Sequence, residues 1–310
     1  MSLTVNQSGM LSLLQDAGRY GQHDIGLTTG GPMDAMAFKW ANRLLANKLS
    51  ATAIEVTVGG LELAATVDTF IVVTGAKVPL TINAVEKTLW QVHAVRVGDI
   101  IKLGFATEGM RAYLSVAGGF KVAPQFNSTA TVIRESIGGL NGGPLKIGDI
   151  LPCDAANSIK PLKLAEYYQP KYNQEAVLRV VLGYQQDSFS EHQQWRFFNG
   201  EYTVSASCDR MGFRLQGAEI NCDLNGILSE GICFGAIQIP ADGQPIVLLN
   251  DRQTIGGYPK IGSVLSIDCA KLAQLATSGK VRFKAIDIYQ AQNLIHLAQS
   301  QFLRAPMEQC

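Results

Sequence analysis

This 310-residue sequence carries no net charge of either sign. Lysine plus arginine and aspartate plus glutamate each total 26, so the formal charge at pH 7 is zero. Proteins that hold nucleic acid through its phosphates, or that bind an anionic membrane surface, need clustered lysine and arginine. We therefore expect neither nucleic acid nor membrane as a partner.

Metal-ligating residues are scarce and poorly spaced. The chain has four histidines and six cysteines, and no C-x-x-C pair is present among the cysteines at positions 153, 208, 222, 233, 269 and 310. Zinc sites need closely spaced histidine or cysteine ligands, and disulfide frameworks have regular cysteine spacing. We expect no metal site, and reduced thiols with structural roles.

Long apolar runs and a secretory leader are also absent. The first residues, Met1 to Gln7, do not show the basic and then apolar order of a signal peptide, and no run approaches the roughly 20 apolar residues of a membrane-spanning helix. Hydrophobic residues nevertheless make up 47% of the chain, which suffices for two cores. We expect a cytoplasmic protein of two domains.

Several catalytic motifs are missing as well. The sequence has no G-x-x-x-x-G-K-[ST], no G-x-S-x-G, no H-E-x-x-H and no lysine in a biotin-carrier context, and the glycine-rich segment from Gly138 to Lys146 lacks the Gly-Lys pair. These absences disfavour a P-loop enzyme and a serine hydrolase. A catalytic role would instead use charged side chains and backbone N–H groups to position an amide or carboxyl group.

Short β-rich segments separated by glycine make up most of what is present. They include residues 69–74, 112–117, 176–182, 236–239, 245–249 and 262–267. Many short strands at close spacing favour barrels or sandwiches over βαβ units. The fold class predicted is mainly β, with a few peripheral helices.

Helical patterns occur in three places. Asp34 is a candidate cap for a helix that runs to Asn47, and Asp268 for another that ends near Gly279. A third runs from about Ile286 to Arg304, with an apolar stripe that we expect to contact the core. Strand patterning lapses between 154 and 173, so we predict domains at 1–155 and 175–310, with crossing of the chain between them allowed.

The segment from Leu248 to Ile261 has the densest set of polar groups, directly after an apolar strand. Such a loop can hold a polar ligand, and its two glycines allow positive φ and close approach of the backbone. The alternative is a hairpin whose glycines serve the turn and whose charges are solvated. As catalytic candidates we name Asp251, Lys260 and Arg210, and as substrate-binding candidates Arg252, Gln253, Thr254, Gly256, Gly257, Tyr258 and Asp209.

A second polar cluster lies near the N-terminus. Asp16 and Arg19 are candidates for binding a ligand or a partner. Glu55 stands among apolar residues, so its burial would call for a salt bridge to an arginine such as Arg19. For Asp209 and Arg210 a mutual surface ion pair is the alternative to a functional role.

Motifs along almost the whole chain resemble the family described as biotin-dependent carboxyltransferase, as the second subunit of allophanate hydrolase or as the C subunit of 5-oxoprolinase. The loop matches the pattern D-x-Q-T-x-G-G-Y-P-[KR]-I from Asp251 to Ile261. Further matching blocks are Gln15-Asp16-Ala-Gly18-Arg19, Gly30-Gly31-Pro-Met33-Asp34, Ala117-Gly118-Gly119-Phe120, Asp209-Arg210-Met211-Gly212-Phe213, Ser229-Glu230-Gly231 and Asp242-Gly243-Gln244-Pro245. The chain departs from the family at Phe126 to Val132, where Gly-Ser-x-Ser-Thr-Asp is usual, and at Ile255, where threonine is common.

The resemblance implies two cyclophilin-like β-barrel domains. It also implies one component of an ATP-dependent 5-oxoprolinase that opens 5-oxoproline to L-glutamate, is inactive alone, and works with two other subunits, the cyclophilin-like B subunit and the A subunit. One alternative is a carboxyltransferase component that moves a carboxyl group from carboxybiotin to urea or a related amide, with biotin then required. The other is a regulatory protein that binds a kinase inhibitor without catalysis.

Overall fold

The computed structural model describes residues 1–224 and 226–310, which form two compact units. The first unit comprises Met1–Gln22, Thr29–Tyr172 and Ala305–Cys310, and the second comprises His23–Thr28 and Asn173–Arg304. The segment 154–173, where strand patterning lapses, belongs almost entirely to the first unit and contains a strand at Leu162–Leu164. The second unit resumes at Asn173, the last residue of that segment.

Short strands dominate the chain. In chain order they are β1 (Ser2–Ser8), β2 (Leu11–Gln15), β3 (Ala53–Thr57), β4 (Leu61–Ala65), β5 (Thr69–Lys77), β6 (Leu80–Ile82), β7 (Val85–Lys87), β8 (His93–Val95), β9 (Ile100–Leu103), β10 (Glu108–Val116), β11 (Ile150–Pro152), β12 (Leu162–Leu164), β13 (Glu175–Leu182), β14 (Tyr202–Cys208), β15 (Gly212–Gln216), β16 (Glu230–Gly231), β17 (Ala236–Gln238), β18 (Ile246–Leu248), β19 (Ile255–Gly256), β20 (Lys260–Val264), β21 (Lys280–Ala285) and β22 (Met307–Gln309). The mainly β fold class is confirmed.

Helices are fewer. The α-helices are α1 (Ala35–Leu44), α2 (Glu191–Asn199), α3 (Ser266–Ala273) and α4 (Ile288–Arg304), and 3-10 turns occur at His23–Ile25, Ile133–Glu135, Glu166–Tyr168 and Gln186–Ser188. Among the described residues, no helix is both long enough and apolar enough to cross a membrane.

Two sheets form the first unit around one core. The six-stranded sheet has the order β11-β1-β4-β9-β6-β7 and the five-stranded sheet the order β2-β3-β10-β5-β8. Their apolar faces meet, since Leu3 and Leu63 of one sheet share a cluster of buried side chains with Ile54 and Leu114 of the other. β12 pairs with β22, which brings the last residues of the chain into this unit.

A closed barrel forms the second unit, in the order β13-β20-β17-β18-β15-β14-β21. Six of the seven junctions are antiparallel, and β13 runs parallel to β21. Closure removes the free strand edges that would otherwise invite pairing with another chain. The helix α2 covers one side of the barrel, where Phe197 stacks on Phe283 at a centroid distance of 4.4 Å.

The three predicted helices had different outcomes. Asp34 caps α1 as predicted, because its carboxylate accepts a hydrogen bond from the Ala37 N–H at 3.0 Å. Asp268 was wrongly predicted as a cap, since it lies inside α3 and holds the Arg179 guanidinium through two hydrogen bonds of 2.7 Å. α4 begins at Ile288, and its apolar stripe is only partly covered, with Ala291 and Phe302 buried.

Candidate functional site

The polar loop from Leu248 to Ile261 lies in the second unit and connects β18 to β20. It is not a solvated hairpin tip, because Asp251 and Arg252 are each 7% exposed and Lys260 is 9% exposed. Its middle forms β19, which pairs with β16 so that Gly256 lies opposite Glu230. The alternative of a loop with freely solvated charges is therefore wrong.

A bidentate ion pair joins Asp251 to Arg210. The Arg210 Nε and Nη2 groups donate to the two carboxylate oxygens at 2.9 and 3.0 Å, and the side chains are only 6% and 10% exposed. The Asp251 N–H also donates to the Arg210 carbonyl at 2.9 Å. The pair thus ties the loop to the turn before β15.

Asp209 does not form the surface ion pair with Arg210 that we considered. Its carboxylate instead accepts hydrogen bonds from the N–H groups of Met211 and Gly212, at 2.8 and 3.1 Å. An aspartate at the start of a turn commonly bonds to the backbone in this way. Asp209 therefore shapes the turn from which Arg210 reaches Asp251.

Arg252 also works on the backbone of its own unit. Its Nε donates to the Ile232 carbonyl at 3.1 Å and its Nη1 to the Leu249 carbonyl at 3.3 Å. The guanidinium lies 5.8 Å from the ring centroid of Phe234. These contacts hold the segment of β16 and the end of β18 together. Lys260, another cation of the loop, lies beside the accessible carboxylate of Glu230.

Lys260 is the centre of a cluster that we call the Lys260 cluster, consisting of Lys260, Glu230, Tyr184 and Gln185. The Lys260 ammonium forms an ion pair with Glu230, and the Tyr184 hydroxyl donates to the second oxygen of the same carboxylate. Gln185 Nε2 donates to Glu230 at 2.9 Å, and Gln185 Oε1 accepts from the Lys260 backbone N–H at 2.8 Å. Tyr184 is 74% exposed, so the cluster reaches the protein surface.

Three members of the cluster were not among the candidates from sequence. Glu230 stood in a family block without an assigned role, and Tyr184 and Gln185 carried no motif. The available signal was the position of Tyr184-Gln185 just after the apolar strand β13, because polar residues at strand ends often line sites.

The two loop glycines are needed for space rather than for positive φ, which neither adopts. A Cβ on Gly256 would lie 2.5 Å from the Ile232 side chain, and one on Gly257 would lie 2.9 Å from the Ile227 carbonyl oxygen. The expectation of positive φ was therefore wrong, and the expectation of close backbone approach was correct. Gln253 and Tyr258 are exposed beside them, and Thr254 is half-buried.

Asp16 is fully engaged by neighbouring residues of the first unit. Its carboxylate accepts hydrogen bonds from the Gly18 N–H at 2.9 Å, the Ser128 hydroxyl at 2.6 Å and the Thr129 N–H at 2.8 Å. Two of these donors lie in the segment Phe126–Val132, where the sequence departs from its family. Asp16 thus anchors that segment.

Arg19 anchors the same segment from a fully buried position. Its Nε and Nη2 donate to the carbonyls of Gln125 and Ala130, at 3.1 and 3.0 Å. The carboxylate of Glu55, which we had proposed as its partner, accepts from the Met33 N–H at 2.8 Å and the Tyr113 hydroxyl at 2.7 Å. These two donors help to stabilise the buried Glu55 carboxylate.

A groove of about 1000 Å³ lies in the first unit. Its lining includes Asp16, Thr52, Phe120, Lys121 and Asp154. The two charges that face each other there, Lys121 and Asp154, form an ion pair of 2.8 Å. This groove mixes apolar and paired charged groups and contains none of the residues of the Leu248–Ile261 loop.

Two cysteines of the second unit, Cys269 and Cys233, differ in exposure. Burial, followed by the nearby Asp268 charge, raises the pKa of the Cys269 thiol, so it stays protonated at neutral pH. Cys233 is exposed, with its sulfur 3.1 Å from the Ser263 hydroxyl.

Several known proteins resemble this chain in sequence and fold. Residues 25–285 match the family model described as "Carboxyltransferase domain, subdomain A and B". The chain is 35% identical to the C subunit of 5-oxoprolinase from Haemophilus influenzae over 291 residues, covering 91% of this chain and 90% of that protein. It is 34% identical to the C subunit of 5-oxoprolinase from Escherichia coli over 292 residues, covering 93% of each. The crystal structure of the K. lactis urea amidolyase superposes with a TM-score of 0.91 at 27% identity, covering 97% of this chain and 20% of that one. The chain therefore belongs to the family of carboxyltransferase domains with subdomains A and B.

Proposed function

We propose that the chain is one component of an ATP-dependent 5-oxoprolinase, which opens 5-oxoproline to L-glutamate together with a cyclophilin-like B subunit and an A subunit. The observation that carries the proposal is the mutual coverage with two proteins named as the C subunit of 5-oxoprolinase, which is 90% or more in each direction. The match to the K. lactis urea amidolyase covers only 20% of that chain. Coverage is therefore mutual with the C subunits of 5-oxoprolinase and one-sided with the urea amidolyase.

The reaction adds water across the lactam C–N bond, so that the carbonyl carbon becomes a carboxylate and the ring nitrogen becomes the amino group of glutamate. Negative charge is present on the substrate carboxylate, and it develops on the carbonyl oxygen as water attacks. Lys260 is the cation of the loop that we assign to the negatively charged substrate. Arg210 and Asp251 are positioning residues in the proposal, since each holds the other.

ATP does not fit the glycine-rich segments 118–119 and 138–142 of this chain. Phosphate binding by such segments needs free backbone N–H groups. The N–H groups of Gly138, Gly139 and Gly142 donate to other groups of this chain, and those of Gly118 and Gly119 do so as well. We therefore assign the nucleotide to one of the partner proteins and derive no step through it here.

The proposal is tested by ATP-dependent release of glutamate from 5-oxoproline in a mixture of this chain with its two partner subunits. Omission of the chain should abolish the release. Replacing Lys260 by alanine should lower kcat/KM about 100-fold, because a charge-assisted contact in a desolvated site contributes about 2 to 3 kcal/mol. Lys284→Ala is the matched control, since Lys284 is an exposed lysine of the same unit.

Glutamate release that persists without the chain would contradict the proposal. Release that depends on the chain but is equal for both lysine variants would retain the 5-oxoprolinase role and reject the site. A mixture that assembles and yet forms no glutamate would favour the second candidate.

The second candidate is transfer of a carboxyl group from carboxybiotin to urea or a related amide. It is favoured by the description of the matching family and by the TM-score of 0.91 to a urea amidolyase. Under this candidate a separate carrier supplies carboxybiotin and the same lysine faces a carboxylated reactant. Transfer of labelled carboxyl from carboxybiotin to urea in the presence of the chain is its test.

A further inference from the structure

The Glu230 carboxylate is held by donors of three chemical kinds. The Lys260 ammonium and the Tyr184 hydroxyl contact it on separate oxygens, and the Gln185 amide donates to the first oxygen at 2.9 Å. A cation, a hydroxyl and an amide that converge on one carboxylate are the groups with which proteins bind carboxylate ligands. The cluster therefore has the composition of a carboxylate receptor whose occupant belongs to the chain itself.

Two of the donors, Lys260 and Gln185, are fixed more firmly than the occupant. Lys260 begins a barrel strand, its register partner is Gln238, and its backbone N–H is held by Gln185, which is 9% exposed. Glu230 lies instead on the two-residue strand β16, and the described residues of 217–229 before it form no helix or strand. Its side chain is 30% exposed. Rotation of this carboxylate into water would leave Lys260 and Gln185 in place.

We propose that Lys260, Tyr184 and Gln185 form a binding site for the carboxylate of a small-molecule substrate, and that Glu230 occupies this site until the substrate replaces it. The site itself is inferred from the cluster, and only the identity of the substrate as 5-oxoproline rests on the proposed function. This assignment gives Lys260 the substrate carboxylate rather than the developing oxyanion.

Exchange of one carboxylate for another is inexpensive in electrostatic terms. Removing an ion-pair partner from a buried lysine is strongly unfavourable, but here the incoming carboxylate pairs with Lys260 as Glu230 leaves. Neutral amides such as urea or a plain lactam cannot make this replacement. The site therefore selects ligands that carry a carboxylate.

The test measures ligand binding to the full chain by NMR titration, comparing the unsubstituted protein with Glu230→Gln. The ligands are acetate, 5-oxoproline and 2-pyrrolidinone, which is the same lactam without the carboxylate. If Glu230 occupies the receptor about nine-tenths of the time, its removal should strengthen binding of acetate and of 5-oxoproline about tenfold. Binding of 2-pyrrolidinone should not change.

Glu201→Gln is the matched control. Glu201 is a glutamate of the same unit whose carboxylate pairs with two cations, Arg282 and Lys280. Its substitution exposes two positive charges outside the Lys260 cluster and should leave all three affinities within about twofold. Equal gains for both variants would show a general charge effect and overturn the proposal. Unchanged or weaker carboxylate binding in Glu230→Gln would also overturn it.

Tyr184→Phe supplies a second variant. This side chain is 74% exposed, so its hydroxyl can be removed without a loss of core packing. In the Glu230→Gln background, loss of the hydroxyl should weaken acetate binding about fivefold to tenfold, the effect of one solvent-exposed hydrogen bond. No weakening would remove Tyr184 from the receptor and contradict the assignment.

The binding measurement is independent of turnover. Stronger acetate binding in Glu230→Gln, together with no glutamate release from the reconstituted mixture, would support the receptor and reject the oxoprolinase. Glutamate release without any effect of Glu230→Gln on carboxylate binding would support the oxoprolinase and reject the receptor.

Discussion

Replacement of Asp251 by alanine should destabilise the second unit strongly. The variant would leave the Arg210 guanidinium, only 6% exposed, without the carboxylate that now accepts its bonds at 2.9 and 3.0 Å. Removing one partner of a buried ion pair costs about 3 to 5 kcal/mol. For a folding unit of this size, each kcal/mol lowers the melting temperature by about 3 °C, so we expect a decrease of roughly 9 to 15 °C.

The chain contains a natural control for this experiment. Arg214 and Asp242 form another arginine–aspartate pair of the second unit at 2.6 Å, but their side chains are 39% and 50% exposed. Asp242→Ala should cost less than about 1 kcal/mol, because solvent screens an exposed pair. Differential scanning calorimetry of both alanine variants compares the same chemical change at two levels of burial.

A double variant separates the cost of desolvating the buried pair from the cost of removing only one of its partners. Arg210→Met with Asp251→Leu removes both charges and fills the space with apolar atoms, so it should melt above Asp251→Ala alone. If Asp251→Ala melts within about 2 °C of the unsubstituted chain, the stability argument is refuted. If such a stable variant also lost glutamate release, we would assign Asp251 to contact with the substrate.

Other predictions follow from buried groups. Tyr113→Phe should cost about 1 to 3 kcal/mol in urea denaturation, because Glu55 loses a donor at 2.7 Å, and an unchanged midpoint would contradict this. Burial alone would raise the pKa of Asp268, but its hydrogen bonds with Arg179 hold that pKa below the ordinary 3.8. The stability that this lowered pKa contributes is present above pH 3.8 and is lost as the pH falls through the folded-state pKa. The loss of unfolding free energy caused by Asp268→Asn should therefore be smaller at pH 3 than above pH 3.8, and a constant loss would contradict this. Cys269, buried and with a raised pKa, should escape iodoacetamide at pH 8 in the folded chain, and peptide mapping that finds it modified would contradict its burial.

Local patterns were sufficient for several elements of the secondary structure. The alternation and β-branched content of residues 69–74 and 176–182 correctly predicted β5 and β13, because a strand is recognised by its own composition. The cap of α1 was also predictable, since Asp34 and the N–H groups that it serves are three residues apart.

Local patterns could not predict contacts between residues that are distant in sequence. Asp268 has the composition and position of a helix cap, but its partner is Arg179, 89 residues earlier. The same holds for Glu55, whose donor Tyr113 lies 58 residues away. A buried charge demands compensation, but its sequence neighbourhood does not say which residue provides it.

The candidate site shows where the limit lies. The sequence by itself determined that the stretch from Leu248 to Ile261 is rich in charges and glycines, and motif matching placed it in a family. The tertiary structure alone decided that Asp251 faces Arg210 and that Lys260 faces Glu230, 30 residues earlier. The physical reason is that barrel closure brings together strand ends that are remote in sequence, and burial then separates charges that pair internally from those that can reach a ligand.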